Sequence, residues 1–231
     1  PVCSSAASDV YKRQDAMMVF NFLTSHIQPK DMKELIISPN SSFEWLIKKI
    51  ENEIDFAKKN LPSGIWIKCN AIVDSKLIEK LYEASNVGVK INLFVRGICC
   101  LKPNVKGLSE NIIVKSIIGR FLEHGRIYVF ANGGEFQSIK NYVYISSADM
   151  MPRNLYTRVE AYVPLKNETV RSQILTQFIP ALIKDTKNSW LLEQTGEYVK
   201  LEDKLNFCSH SYFMENPSLS GQGTLSKFKT A

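Results

Sequence analysis

The chain has 231 residues, 45% of them hydrophobic and 23% charged, with a formal net charge of +6. That balance excludes a disordered or fibrous chain and allows one substantial core with appendages. No run approaches the ~20 apolar residues of a membrane span, and five cysteines without a Cys-x-x-Cys pair describe neither a disulfide framework nor a zinc site.

Residues 1–14 are small and polar and follow neither the helical nor the strand period, so they are expected to form a non-native or disordered leader outside the fold. The apolar piece 16–23 reads as the end of something larger, punctuated by Pro29 and Asp31. Ser41-x-x-Glu44 has the form of a capping box, and Phe43, Leu46, Ile47, Ile50, Ile54 and Ala57 recur at helical spacing. The helix they predict stops at Leu61-Pro-Ser-Gly64. Residues 65–69 are a short strand, Asp74 caps a second helix with apolar face Leu77, Ile78, Leu81 and Tyr82, and Gly88 stands where a helix end favours a left-handed residue. Residues 89–95 complete a strand-helix-strand unit with a parallel, buried pair. That strand ends in Arg96, and the carboxyl ends of parallel strands are where α/β folds hold ligands.

Strands follow at 112–117, 127–130 and 142–146, the last two antiparallel across a long loop that opens with Asn132-Gly-Gly. Residues 150–154 read as a turn and 158–163 as a strand. A helix over 167–183 kinked by Pro180, a weak hairpin of 189–192 and 197–201 about Gly196, and a turn-rich tail from Phe207 close the chain. The fold class is α/β, a mixed sheet flanked by helices. Cys99 and Cys100 are expected to pack as small hydrophobes, and unpaired cysteines imply a reducing, cytoplasmic setting.

Charge is concentrated rather than spread. Lysines outnumber arginines about three to one, yet five of the seven arginines (Arg96, Arg120, Arg126, Arg153, Arg158) fall within 63 residues. Planar, bidentate guanidinium groups suit phosphate oxygens better than a solvated surface does. The bland alternative is internal ion pairing, with Arg158 beside Glu160 the foremost case. Between two strands the chain reads Arg120-x-x-x-His124-x-Arg126, one imidazole set between two guanidinium groups. His124 is thereby either a catalytic group or a satisfied histidine at a strand start. Arg120 and Arg126 are either ligands or structural partners of Glu123 or Asp149. His26 and His210 read as ordinary surface. No Gly-x-x-x-x-Gly-Lys-Ser/Thr loop occurs, so any nucleotide must be held by side chains.

His124-x-Arg126, a strand, a hairpin, a strand and then Ser147-Ala-Asp149 resemble one half of the phospholipase D superfamily, in which His-x-Lys precedes a strand and Gly-Ser-x-Asn/Asp closes the next. Here Arg126 replaces lysine and Ser146 replaces glycine. That superfamily needs two facing histidines, of which this chain supplies one.

A broader resemblance, over about 15–221, is to the bacterial polyphosphate kinases of the large, phosphohistidine-forming type. It rests on 71–74, 81–85, 88–91, Val95-Arg-Gly-Ile-Cys-Cys-Leu101, 107–111, Gly119-Arg-Phe-Leu-Glu-His124, Ser147-Ala-Asp149 with Pro152-Arg-Asn-Leu155, and Tyr212-Phe-Met-x-Asn-Pro-Ser-Leu-Ser-Gly221. Met150 stands where that family has tryptophan, and Gln222 where a basic residue is common. The resemblance implies a phospholipase D-like C-terminal catalytic domain over 31–212. It also implies a remnant of the preceding domain at 15–30 and an extended tail at 213–231. It implies reversible transfer of the ATP γ-phosphoryl group to polyphosphate through a phosphohistidine, with the nucleophile in a Lys-Thr-His-Ser-Lys type motif upstream. No such motif occurs here, so the fragment alone is expected to be inactive.

His124 is implied as acid/base and phosphate contact and Arg96 as nucleotide contact, with Arg153 a further phosphate contact. Mg2+ arrives with ATP on ligands in the upstream part, none in this chain. ATP, ADP and polyphosphate are the implied partners, not nucleic acid. Identical subunits in the intact enzyme and a cytoplasmic location, extending to the inner-membrane periphery, are implied as well. Two other readings compete: a non-catalytic polyanion-binding module, and a phospholipase D-like phosphodiesterase half-site completed by dimerisation.

Overall fold

The computed structural model describes residues 2–201 and 206–216, with side chains from residue 10 onward. Helix α1 (Val2–Ser25) opens the chain and takes in residues 2–14, whose sequence follows no helical period. Asp15 ties α1 to the body: it is 1% exposed, and its carboxylate accepts the backbone N–H groups of Lys33, Glu34 and Leu35 at 2.6–3.1 Å. Strand β1 (Ile36–Ser38) follows, too short for any period to show in sequence.

Helix α2 (Ser42–Lys58) forms where its apolar spacing places it, burying Leu46, Ile50 and Ile54. The capping box does not form, because the Ser41 hydroxyl turns back onto the Ile37 carbonyl at 3.4 Å instead of capping the helix. Strand β2 (Gly64–Cys69) is buried along its whole length. Helix α3 (Ser75–Asn86) is capped by Asp74, which accepts the Leu77 N–H at 3.0 Å. It ends at Gly88, φ +96°, where Gly88 N–H donates to Ser85 O and Val89 N–H to Ala84 O, satisfying carbonyls of the last turn.

The remaining elements are β3 (Lys90–Val95), β4 (Ile112–Ile117), β5 (Arg126–Phe130), β6 (Tyr142–Ser146), α4 (Pro152–Tyr156), β7 (Glu160–Pro164), α5 (Glu168–Gln173), α6 (Ile179–Lys184), β8 (Ser189–Leu192), β9 (Tyr198–Lys200) and α7 (Ser209–Glu215). Three differ from expectation. The turn at 150–154 is the start of α4, with Pro152 in its first turn, where a missing N–H leaves nothing unpaired. The helix over 167–183 is α5, a widened turn Ile174–Phe178 and α6; Pro180 cannot donate to the ladder, and Ile179 N–H reaches five residues back to Ile174 O. The tail expected to be extended over 213–231 begins inside α7, and 217–231 lies outside the described residues.

One sheet runs β1-β7-β6-β5-β2-β3-β4-β8-β9. The β2–β3 and β3–β4 pairs are parallel and the others antiparallel, so the sheet is mixed. Side chains alternate across it. Ile65, Ile67 and Cys69 face a core built with α2 and α3, while Trp66 joins Ile127, Val129, Leu175, Ile179 and Leu182 on the other face. Helices thus cover both faces, as buried parallel strands require. Cys99 packs against the first core, whereas Cys100 is exposed rather than packed.

Candidate functional site

The strand directions bring six strand ends to one edge of the sheet: the carboxyl ends of β2, β3, β4 and β6 and the amino ends of β5 and β7. The loops beyond them are stitched together. Ile72 N–H donates to Ile98 O at 2.9 Å, Cys100 N–H to Ile72 O at 2.8 Å, Met150 N–H to Ala71 O at 3.1 Å and Val73 N–H to Met150 O at 2.8 Å. Backbone pairing of three loops leaves little freedom to the side chains they present. Above them opens a cleft of about 510 Å3 lined by Arg96, His124, Arg126, Asp149, Arg153 and Arg158, among others.

Asp149 is the anchor of this constellation. It accepts Arg126 Nε on Oδ1 and Nη2 on Oδ2, both at 2.9 Å, and the Asn70 backbone N–H at 2.7 Å. Burial pushes its carboxyl up, but the Arg126 fork and the Asn70 donors outweigh that and hold it below the usual carboxylate range. Arg126 is correspondingly fixed as a cation. Asn70 then holds Arg96 through Oδ1, 2.7 Å from Arg96 Nε.

His124 lies between the two arginines. Arg96 Nη2 is 3.1 Å from its Nδ1, Arg126 Nη2 is 3.3 Å from its Nε2, and Arg126 Nη1 donates to its carbonyl at 3.1 Å. Guanidinium groups only donate, and a neutral imidazole has one ring lone pair. At most one of the two ring contacts is therefore a hydrogen bond, and at least one imidazole nitrogen carries an N–H that faces a donor. An anion in the cleft would accept from that N–H and from both guanidinium groups at once.

The cleft thus collects Arg96, His124, Arg126 and Arg153 from well-separated positions. Arg126 is the partner of Asp149, and Arg120 lies outside the lining, its guanidinium 5.8 Å from the Phe121 ring centre. The Arg158–Glu160 pair does not form. Glu160 instead accepts from the Ser147 hydroxyl and the Asn154 amide, both at 2.5 Å. Among the described residues, neither Arg153 nor Arg158 makes an ion pair or a side-chain hydrogen bond, so two exposed guanidinium groups face the cleft unengaged.

Three site features escaped the sequence reading. Asn70 follows β2 as Arg96 follows β3, and the same strand-end reasoning applied to it would have found it. Arg158 was masked by its acidic neighbour. His210 was read as surface, yet it is 1% exposed, because α7 folds it beneath the loop carrying His124. Among the described residues no group of three or more His, Cys, Asp or Glu side chains is placed to hold a metal ion. No helix among them is long and apolar enough to cross a membrane.

Residues 35–209 match the family model described as polyphosphate kinase C-terminal domain 2. A polyphosphate kinase of Erythrobacter litoralis is 49% identical over 211 residues, which is 91% of this chain and 30% of that protein. A polyphosphate kinase of Lactiplantibacillus plantarum is 42% identical over 82% of this chain and 26% of its own length. The chain therefore spans less than a third of the length of these relatives. The crystal structure of polyphosphate kinase from Porphyromonas gingivalis superposes with a TM-score of 0.82 at 31% identity, covering 88% of this chain and 31% of that one.

Proposed function

This chain belongs to the polyphosphate kinase C-terminal domain family, and from that membership we propose that its cleft is one wall of a site for reversible transfer of the ATP γ-phosphoryl group to polyphosphate. In this reading the transferred group passes through a phosphohistidine whose nucleophile is supplied by an upstream part of a longer protein. The observation that carries it is the constellation around His124: an imidazole held between two guanidinium groups, with Arg153 and Arg158 unengaged in the same cleft.

Phosphoryl transfer asks a protein for positioning and for neutralisation of charge on the equatorial oxygens rather than for elaborate covalent chemistry. Arg96 and Arg153 are the phosphate contacts, and Arg158 extends the cationic lining along the bound chain. Arg126 serves mainly to hold His124. His124 contacts the transferring phosphoryl group and gives or takes a proton at a phosphate oxygen, opposite the nucleophile. The cleft's own carboxylates are committed, Asp149 to Arg126 and Glu160 to Ser147 and Asn154. A Mg2+ of the family's chemistry would come with ATP and would neutralise phosphate charge, held by protein ligands upstream rather than by these carboxylates.

The test is His124→Ala in a longer protein that includes this chain. Transfer from ATP to polyphosphate is expected to fall by roughly two to four decades with the circular dichroism spectrum unchanged. Activity close to that of the parent would remove His124 from the reaction.

A further inference from the structure

The loop that presents His124 is held by two side chains outside the cleft lining and by a backbone bond at its start. From β2, Lys68, only 5% exposed, donates to Gly125 O at 3.2 Å and pairs with Glu123 Oε2 at 3.1 Å. From α7, His210 accepts the Phe121 backbone N–H on Nδ1 at 3.3 Å and lies against the Phe121 ring, with centres 5.4 Å apart. Because Nδ1 accepts, Nε2 carries the hydrogen. That buried Nε2 faces Glu123 Oε1 at 3.4 Å, an ion-pair distance whose alignment falls short of a hydrogen bond. At the start of the loop, Ile118 N–H donates to Asn188 O at 2.9 Å. A Cβ on Gly119 would lie 2.7 Å from both Asn188 Nδ2 and His210 Nδ1, so only glycine lets α7 approach this closely.

We propose that His210 and Glu123 are positioning residues. Together with Lys68 they clamp residues 119–125 between α7 and β2 and so set where the His124 ring meets Arg96 and Arg126. The proposal rests on the reading of His124 as a phosphate contact and extends it to a part of the chain that the cleft does not contain. A solvated loop with exposed Ile118, Phe121 and Leu122 has little apolar burial of its own to fix it. Its order comes from these polar contacts, and a displacement of about 1 Å in such a group is enough to cost orders of magnitude in a transfer step.

The contacts are separable by substitution. His210→Asn keeps an acceptor near Nδ1 for Phe121 and loses the Glu123 contact; His210→Gln places its amide near Nε2 and loses the Phe121 contact; Glu123→Gln weakens both the Lys68 and the His210 interactions. Each is made in the full chain and examined by 15N NMR of the His124 ring, assigned with His124→Ala, by titration with inorganic tripolyphosphate, and by urea unfolding. All three variants are expected to shift the His124 ring resonances before any ligand is added and to raise the tripolyphosphate dissociation constant about three- to tenfold. Their unfolding midpoints should stay near that of the parent, and His210→Asn should be the mildest of the three. Folded variants with parental His124 resonances and parental affinity would overturn the proposal. Should the His210 variants fail to fold, Glu123→Gln, whose side chain is 19% exposed, decides by the same two readouts. Equal tripolyphosphate binding by the parent and His124→Ala would instead defeat the phosphate reading of His124, while the ring resonances still decide whether His210 and Glu123 position it.

Discussion

Arg126 shows why a guanidinium group that lines a cleft need not be free to meet a ligand. Its fork is taken by Asp149, and the two side chains are only 12% and 7% exposed, so removing one leaves a charge with little water to replace it. Asp149→Asn is expected to cost about 3 kcal/mol at pH 7, read by urea unfolding. The sign with pH follows from the depressed carboxyl of Asp149. A carboxylate ionised more readily in the folded chain than in the unfolded one, near pH 3.9, stabilises the fold above that pH. The contribution is lost as pH falls through the lower folded value. The gap between parent and Asp149→Asn should therefore shrink below about pH 4, and a gap that stayed constant into acid would contradict the pairing. Sequence left Arg126 open between Glu123 and Asp149 because both lie within reach of a long side chain. Only the β5–β6 register, Arg126 opposite Ser146, brings Asp149 to it and leaves Glu123 to Lys68 and His210.

At the scale of elements, local chemistry was legible wherever a residue type has a local cause. Asp74 caps α3 through its own side chain, and Gly88 ends that helix at φ +96° with nothing within 4 Å of where a Cβ would lie. Gly88→Ala meets backbone strain alone and is expected to cost about 1–2 kcal/mol in urea unfolding; an unchanged midpoint would mean that the left-handed turn is not needed. The misses have separate causes. Ser41 has the residue type of a cap, but β1 brings the Ile37 carbonyl within reach of its hydroxyl. Pro180 has the chemistry of a kink, and the helix it interrupts carries the widened turn Ile174–Phe178 just before it. Residues 209–215 carry turn-like composition and still form α7, because Ser209 N–H and Oγ donate to the buried Asp185 carboxylate at 2.7 and 2.6 Å.

The whole molecule is joined across layers by buried charge as well as by apolar packing. Lys115, on β4, reaches under α6, and its ammonium donates to the carbonyls of Leu182, Ile183 and Asp185 at 3.2, 2.7 and 3.0 Å. Burial pushes its pKa down to about 8, against a smaller upward pull from Asp185. The unfolded chain keeps this proton to about pH 10.4. Between pH 8 and 10 the unfolded state therefore binds more protons, and stability should rise with pH by about 2 kcal/mol from this group. Lys115→Met should lower stability throughout, by exposing three carbonyls to an apolar neighbour, and should flatten the rise; an unchanged slope would place the titration elsewhere. Sequence alone determined the mixed α/β character, the parallel β2–β3 unit and the strand end that carries Arg96, because alternation, caps and breakers act over a few neighbouring residues. It also marked His124 and the arginine concentration, because residue type and short spacing are local facts. Which arginines stay unengaged, which carboxylate holds Arg126, and that His210 lies beneath the His124 loop were decided only by the tertiary structure. Those outcomes depend on sheet order and on the packing of α7, which bring together groups that no local pattern in the chain connects.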